Sequence, residues 1–204
     1  MTKAIRGNSF YTIVDGPSWT QAEARSVSMG GHLAIVGDWS ENQFIYNTYR
    51  PIYGDTYTVL WIGVTDREAE GIWKNADGTS TTFFNWNGGE PNNSGTSADG
   101  LGPLDEDYVH ILMWDNGKWN DLFQDKVPGW RPYAGAFGIA EIPLNLSITR
   151  NTTPKEGAGN FSTSINLSAG TQSNITDGIT VYWRVSGITA DDLGSGSLTG
   201  SGTI

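Results

Sequence analysis

The sequence predicts an α+β fold with two early helices and small antiparallel sheets, followed by a short all-β segment. Three observations carry this expectation. Two helix-start signals with apolar stripes occur early in the chain. From Val59 the texture changes to short apolar runs divided by turn residues. Beyond Pro143 two stretches alternate apolar with polar residues.

Taken in order, Phe10-Tyr11-Thr12-Ile13-Val14 reads as a first strand and Asp15-Gly16-Pro17-Ser18 as a turn into a helix. Ser18 is placed as N-cap, with Gln21 completing a capping box, and Gly30-Gly31 ends the helix. A second box, Ser40 with Gln43, opens another helix. Phe44, Ile45, Thr48, Tyr49 and Ile52 give it one apolar stripe, and Pro51-Ile52-Tyr53-Gly54 closes it. Strands are expected at Val59–Val64, Gly71–Trp73, Tyr108–Trp114, Lys118–Trp119 and Phe137–Ile142. Asn116-Gly117 between two of these is a strong hairpin signal, because both residues tolerate the positive φ that a tight turn needs. Residues 84–107 form a long Gly-, Asn-, Asp- and Pro-rich stretch without periodicity, the kind of loop that carries function. The period-two runs Phe161–Leu167 and Ile179–Val185 read as half-buried antiparallel strands, so a boundary is expected between Pro143 and Pro154.

Charge narrows the partners. Across 204 residues the net charge is -10, which opposes binding to nucleic acid or to an anionic membrane surface. Between Glu90 and Lys126 the acidic residues Glu90, Asp99, Asp105, Glu106, Asp107, Asp115, Asp121 and Asp125 face only Lys118 and Lys126. With no cysteine, disulfides, thiolate metal sites and cysteine nucleophiles are excluded. No stretch is long enough to span a bilayer and no apolar leader precedes the first strand, so the chain is expected either to be cytosolic or to be exported by a signal outside it. No nucleophile–base pair can be named, and the chain is not expected to be an enzyme.

The acidic stretch has a chemical theme. Glu90-Pro91-Asn92-Asn93, Asp105-Glu106-Asp107 and Trp119-Asn120-Asp121 offer only carboxylates and carboxamides, a hard-oxygen set suited to calcium and not to zinc or copper. Their spacing does not fit a single EF-hand loop, so they would have to converge from the long loop and the hairpin after it. Glu-Pro-Asn and Trp-Asn-Asp in this order, behind Trp61-Ile62-Gly63-Val64 and the helix pattern around Gly31-His32-Leu33-Ala34, resemble the motifs of C-type lectins over residues 8–142. The absent cysteines mark it as resembling a cysteine-free, bacterial type.

That resemblance implies a C-type-lectin-like fold over residues 1–143 with a long calcium-binding loop. It implies a primary calcium site made by Glu90, Asn92, Glu106, Asn120 and Asp121, the main-chain oxygen of Asp121 included. The bond before Pro91 would be cis, turning Glu90 and Asn92 toward the same ion. Vicinal sugar hydroxyls would complete the calcium shell and hydrogen-bond Glu90, Asn92, Glu106 and Asn120. In the family, Glu-Pro-Asn goes with mannose-, glucose- and fucose-type sugars and Gln-Pro-Asp with galactose. Asp66, Glu70, Asn93 and Asp107 match an auxiliary calcium site.

The departures are plain. Tyr108 stands where the family places a cysteine, and the interval between Asn92 and Glu106 is long, so Asp99 or Asp105 are alternatives to Glu106. Trp61, Trp73, Trp86, Trp114 and Trp119 are expected in the core, Trp130 in a loop, and His32 and His110 as structural residues. Residues 144–204 resemble the opening strands of a calx-beta-type sandwich cut short. The functional expectation is calcium-dependent binding of a cell- or matrix-surface glycan by a module of an exported bacterial adhesin. The alternatives are a protein-binding or scaffold domain with structural calcium, and ice binding.

Overall fold

The computed structural model describes residues 2–54, 58–96, 103–123, 135–150, 163–169, 180–184 and 199–203. The chain separates into two compact units, Met1–Pro143 and Leu144–Ile204.

In the first unit, strands β1 (Lys3–Arg6) and β2 (Ser9–Asp15) form an antiparallel pair. Helix α1 (Trp19–Ser28) starts as expected at Ser18, whose Oγ accepts the Gln21 N–H at 3.3 Å. Trp19, Ala22 and Ser26 lie on one helical stripe and are buried. The Trp19 indole donates to the Ile62 carbonyl at 2.7 Å, so the buried ring leaves no polar atom unpaired. Short strand β3 (His32–Leu33) follows.

Helix α2 (Trp39–Tyr53) opens earlier than the Ser40–Gln43 pair predicts. Its N-cap is Asp38, whose Oδ1 accepts the Glu41 N–H at 2.7 Å, while Glu41 Oε2 accepts the Gly37 N–H at 2.9 Å. The buried Glu41 also accepts from the Tyr11 hydroxyl at 2.5 Å, and this tertiary contact favours the earlier start. The expected stripe is shifted too. Asn42, Ile45 and Tyr49 are buried, whereas Ile52 is 56% exposed.

Strand β4 (Thr58–Thr65) is buried along nearly its whole length. Gly63 allows it to run against the chain after β3: a Cβ there would lie 2.4 Å from the Leu33 carbonyl oxygen, and the Gly63 N–H donates to Ala34 O at 2.8 Å. The strand expected at Gly71–Trp73 is a turn, with Gly71 N–H bound to Asp66 Oδ2 and Ile72 N–H to Ala69 O. Pairing with β4 falls instead to β5 (Lys74–Asn75). Inside the long loop, β6 (Gly95–Thr96) pairs antiparallel with β7 (Pro103–Leu104), two strands too short to leave a periodic signal.

Strands β8 (Tyr108–Leu112) and β9 (Lys118–Leu122) form the expected hairpin, and Asn116 and Gly117 have φ of 50° and 72°. Because β8 stops at Leu112, Trp114 falls in the turn and is 48% exposed, contrary to its expected core position. The last strand, β10 (Gly135–Arg150), closes this unit with its residues up to Pro143. Phe137–Pro143 run antiparallel to β2, and Gly135–Gly138 run parallel to β4. The order is β1-β2-β10-β4-β8-β9, with β3 beside β10 and β5 beside β4. The fold is α+β as expected, with one parallel pair added to the antiparallel ladder.

The core joins Tyr11, Ile13, Ile45, Tyr49, Leu60, Ile62, Val109, Ile111, Trp119 and Ile139, with Trp73 and Trp86 packed partly buried against it. In a chain without disulfides these contacts carry the stability. In the second unit, Leu144–Arg150 of β10 pair antiparallel with β11 (Thr163–Ala169), and β12 (Thr180–Arg184) pairs antiparallel with β13 (Thr199–Thr203).

Candidate functional site

The site is built where the start of the long loop meets β9. Trp86 and Trp119 form a parallel bridge: Trp119 N–H donates to Asn85 O and Asn87 N–H to Trp119 O, both at 2.8 Å. The rings of Trp86 and Trp119 meet edge to face at 5.9 Å, so the same contact is sealed by packing. From this root the chain runs to Glu90, whose N–H returns to Asn87 O at 3.1 Å, and the Glu90–Pro91 bond is cis, as expected.

Beyond that bond the loop folds onto β9. The Asn92 N–H donates to both Asp121 carboxylate oxygens, at 3.2 and 3.1 Å, and the Asn93 N–H to Asp121 Oδ2 at 2.8 Å. Asp121 is 1% exposed, so these amides replace the water it would otherwise need. Asn93 takes a φ of 46°, which lets successive N–H groups face one carboxylate. The Ser94 N–H donates to Asn92 Oδ1 at 2.7 Å and to Glu106 Oε2 at 2.9 Å, and Glu106 N–H returns to Asn93 Oδ1 at 2.8 Å. Asn120 turns its side-chain amide onto the Asp121 main-chain oxygen. Glu90, Asn92, Glu106, Asn120 and Asp121 thus belong to one connected neighbourhood drawn from three segments.

Its electrostatics are those of crowded carboxylates. Glu90 is pushed up to about 7, first by burial and then by the carboxylates of Asp121 and Glu106, and its Oε2 is buried without a hydrogen-bond partner. Burial likewise raises Glu106, with Asp121 adding to it, although the Ser94 N–H opposes the shift. A carboxylate crowded by other acids, with one oxygen buried and unpaired, is short of either a proton or a cation.

A second acidic group lies beside it. Oxygen atoms of Asp66, Glu70 and Asp107 all come within 4.8 Å of one another. Asp66 Oδ2 accepts the Gly71 N–H at 2.9 Å, whereas its Oδ1 is buried and unpaired. Burial raises the pKa of each of the three, and neighbouring carboxylates add to it: Asp121 and Asp105 for Asp66, Asp66, Asp105 and Asp107 for Glu70, and Asp105 and Asp66 for Asp107. Asn93, grouped with this set from sequence, is tied into the loop network instead. Asp105, weighed there as a substitute for Glu106, acts on Glu70 and Asp107 through its charge, while Glu106 is the residue that meets Ser94. Asp99 and Trp130 lie outside the described residues.

The remaining expectations are local. His32 Nδ1 lies 2.6 Å from Glu23 Oε1, and His110 is buried with Nδ1 unpaired, its pKa lowered by burial to about 4. The buried Asn42 and Asn85 at the root of the site have no part in the sequence reading. Their partners lie 75 and 32 positions away, so no local signal points to them.

Known proteins agree with this architecture. The family model described as "Lectin C-type domain" matches residues 15–129. Hepatic lectin of Gallus gallus is 33% identical over 121 residues, 58% of this chain and 51% of that protein. Ladderlectin of Oncorhynchus mykiss is 33% identical over 113 residues, 55% of each. The chain therefore spans about half the length of these relatives. Among solved structures, the mouse scavenger receptor C-type lectin carbohydrate-recognition domain superposes with a TM-score of 0.52 at 25% identity, covering 69% of this chain and 95% of that one. Its human counterpart gives 0.51 at 26%, covering 69% and 92%. With the family model matched over more than half its length and the fold shared with these domains, the chain belongs to the C-type lectin domain family.

Proposed function

We propose that the first unit binds carbohydrate through a calcium ion held by Glu90, Asn92, Glu106, Asn120 and Asp121. One observation supports this most directly: the Glu90–Asn92 limb is tied to Asp121 by main-chain hydrogen bonds, and beside that tie Glu90 Oε2 is buried with no donor. All five side chains offer oxygen, which suits a hard cation. Calcium would supply positive charge to the crowded carboxylates and open positions for two vicinal hydroxyls. The residues would do the rest: Glu90 and Glu106 accept hydroxyl protons, while the Asn92 and Asn120 amides donate to hydroxyl oxygens. We assign the preference to mannose-, glucose- or fucose-type sugars on the Glu90-Pro91-Asn92 sequence.

Asp66, Glu70 and Asp107, with Asp105 in place of Asn93, are proposed as a second calcium site of structural role. That group also favours a second reading, a scaffold or protein-binding domain with structural calcium, because it gathers carboxylates without offering amide groups to a sugar. The wider setting, an exported surface adhesin of bacterial type whose second unit is calx-beta-like, is proposed with it. Several relatives carry lectin names, consistent with a binding rather than an enzymatic role.

Titration calorimetry with mannose, glucose, fucose and galactose, in calcium and in chelator, tests the proposal. A response in calcium to the first three sugars that chelator removes is expected. Silence toward every sugar at saturating calcium would leave the scaffold reading.

A further inference from the structure

We propose that Asn42 and Asn85 act as positioning residues, clamping the Gly117 carbonyl between them and thereby setting how far apart the Glu90–Asn92 and Asn120–Asp121 limbs stand. Its consequence for calcium rests on the reading above; the clamp itself does not.

Gly117 O accepts from Asn42 Nδ2 at 3.0 Å and from Asn85 Nδ2 at 2.8 Å. Asn42 belongs to α2 and Asn85 to the root of the long loop, so one oxygen ties helix, loop and hairpin together. The other end of each amide is also engaged. Asn42 Oδ1 accepts the Trp119 indole N–H at 2.8 Å, and Asn85 Oδ1 accepts from Lys118 Nζ at 3.0 Å. Asn42 is fully buried and Asn85 is 7% exposed. Packing alone would favour apolar residues at both places, since a buried amide gains little net energy and costs much when unpaired.

Gly117 is shaped to the same purpose. Its φ of 72° excludes most side chains, and a Cβ would stand 2.9 Å from Asn42 Nδ2 and 3.1 Å from Tyr46 Cβ. From the clamp the chain leads in one direction through Trp119 to Asn120 and Asp121, and in the other through Trp86 to Glu90. The Trp86–Trp119 bridge keeps the two paths in register. A shift at Gly117 would reach the Asp121 carboxylate and the Asn92 and Asn93 amides that meet it. Residues that orient metal ligands from behind typically change metal affinity about 10- to 100-fold when altered.

The test uses the full chain with Asn85→Asp, which keeps an acceptor for Lys118 and removes the donor to Gly117, and Asn42→Asp, which keeps the acceptor for Trp119. Calcium titration followed by amide NMR reads the two acidic groups separately, through Asn92, Asn93 and Ser94 for one and Gly71 for the other. Affinity read at the loop amides is expected to fall about tenfold or more while that at Gly71 holds. In chelator, exchange of the Asn92 and Asn93 amides should quicken by a similar factor while the Ile111 amide stays as protected as in the parent. Unchanged loop exchange overturns the clamp, and so does a loss that appears equally at both groups and at Ile111. Should Asn42→Asp not fold, Asn85→Asp alone decides. Should the parent loop amides ignore calcium, the calcium reading fails and the exchange arm still judges the clamp.

Discussion

The two acidic groups differ in what meets their charge. In the loop group, Asp121 is met by the Asn92 and Asn93 amides and Glu106 by the Ser94 amide, so backbone dipoles already stand where water or a cation would. In the group of Asp66, Glu70 and Asp107, the Gly71 N–H serves one oxygen of Asp66, and the three carboxylates otherwise act chiefly on one another and on Asp105. The first arrangement holds its shape by itself; the second is carboxylate gathered in advance of a counter-charge. A sugar site needs the former property, because hydroxyl geometry is read only if the acceptors stay in place.

The largest effect expected from this contrast is on sugar binding. Glu90→Ala with Asn92→Ala removes two proposed ligands and leaves the Asp121–backbone ties in place. Calcium-dependent sugar affinity should drop by at least about 100-fold, the loss of more than one charge-assisted hydrogen bond, while melting stays cooperative. Normal sugar binding by the double variant would place the site elsewhere.

Next in size is a direct test of the difference, made in chelator. Asp121→Asn turns one of two acceptor oxygens into a donor that faces main-chain N–H groups in a buried place, and should cost about 1–3 kcal/mol by chemical denaturation. Asp66→Asn keeps an acceptor for Gly71 and removes a carboxylate that burial and its neighbours disfavour, so it should leave stability in chelator unchanged or higher. If both variants lose equally, the distinction between a held network and a waiting cluster is wrong.

The parts of this contrast that were legible in the sequence are the local ones. Asn116-Gly117 declares its turn because few residues accept positive φ, and Ser18 declares α1 because its hydroxyl reaches an amide three residues on. Glu90-Pro91-Asn92 and Trp119-Asn120-Asp121 were legible as an oxygen set. A distant contact moved one helix start. The sequence places it at Ser40–Gln43, whereas Asp38 caps the helix, and the Tyr11 hydroxyl, 30 positions from Glu41, favours that earlier start. Trp114 was misplaced because a strand was carried past Leu112 into a turn. The assignment of Asp105 to the second group and the whole role of Asn42 and Asn85 depend on which distant segments meet, and nothing in their own neighbourhoods encodes it.

The smallest effect separates the contributions by pH. Glu90 sits at about 7 against an ordinary value of 4.5, so in chelator the folded domain holds a proton that the unfolded chain releases earlier. Stability from this group is therefore present at acid pH and lost as pH rises from about 4.5 to about 7. Calcium must displace the same proton, so calcium affinity should weaken as pH falls below about 7. His110 runs the other way in both conditions: lowered to about 4 by burial, it makes the fold lose stability as pH falls from its ordinary 6.5, because the unfolded chain takes up the proton first. Melting curves between about pH 5 and pH 8, in calcium and in chelator, distinguish them. Glu90→Gln should lessen the rise of chelated stability toward acid pH, leaving the share that Glu106, Asp66, Glu70 and Asp107 contribute, and His110→Phe should lessen the acid loss in both conditions. A chelated parent whose pH profile matches that of Glu90→Gln would mean that Glu90 is not crowded by Asp121 in solution, and the calcium site proposed at that carboxylate would lose its main support.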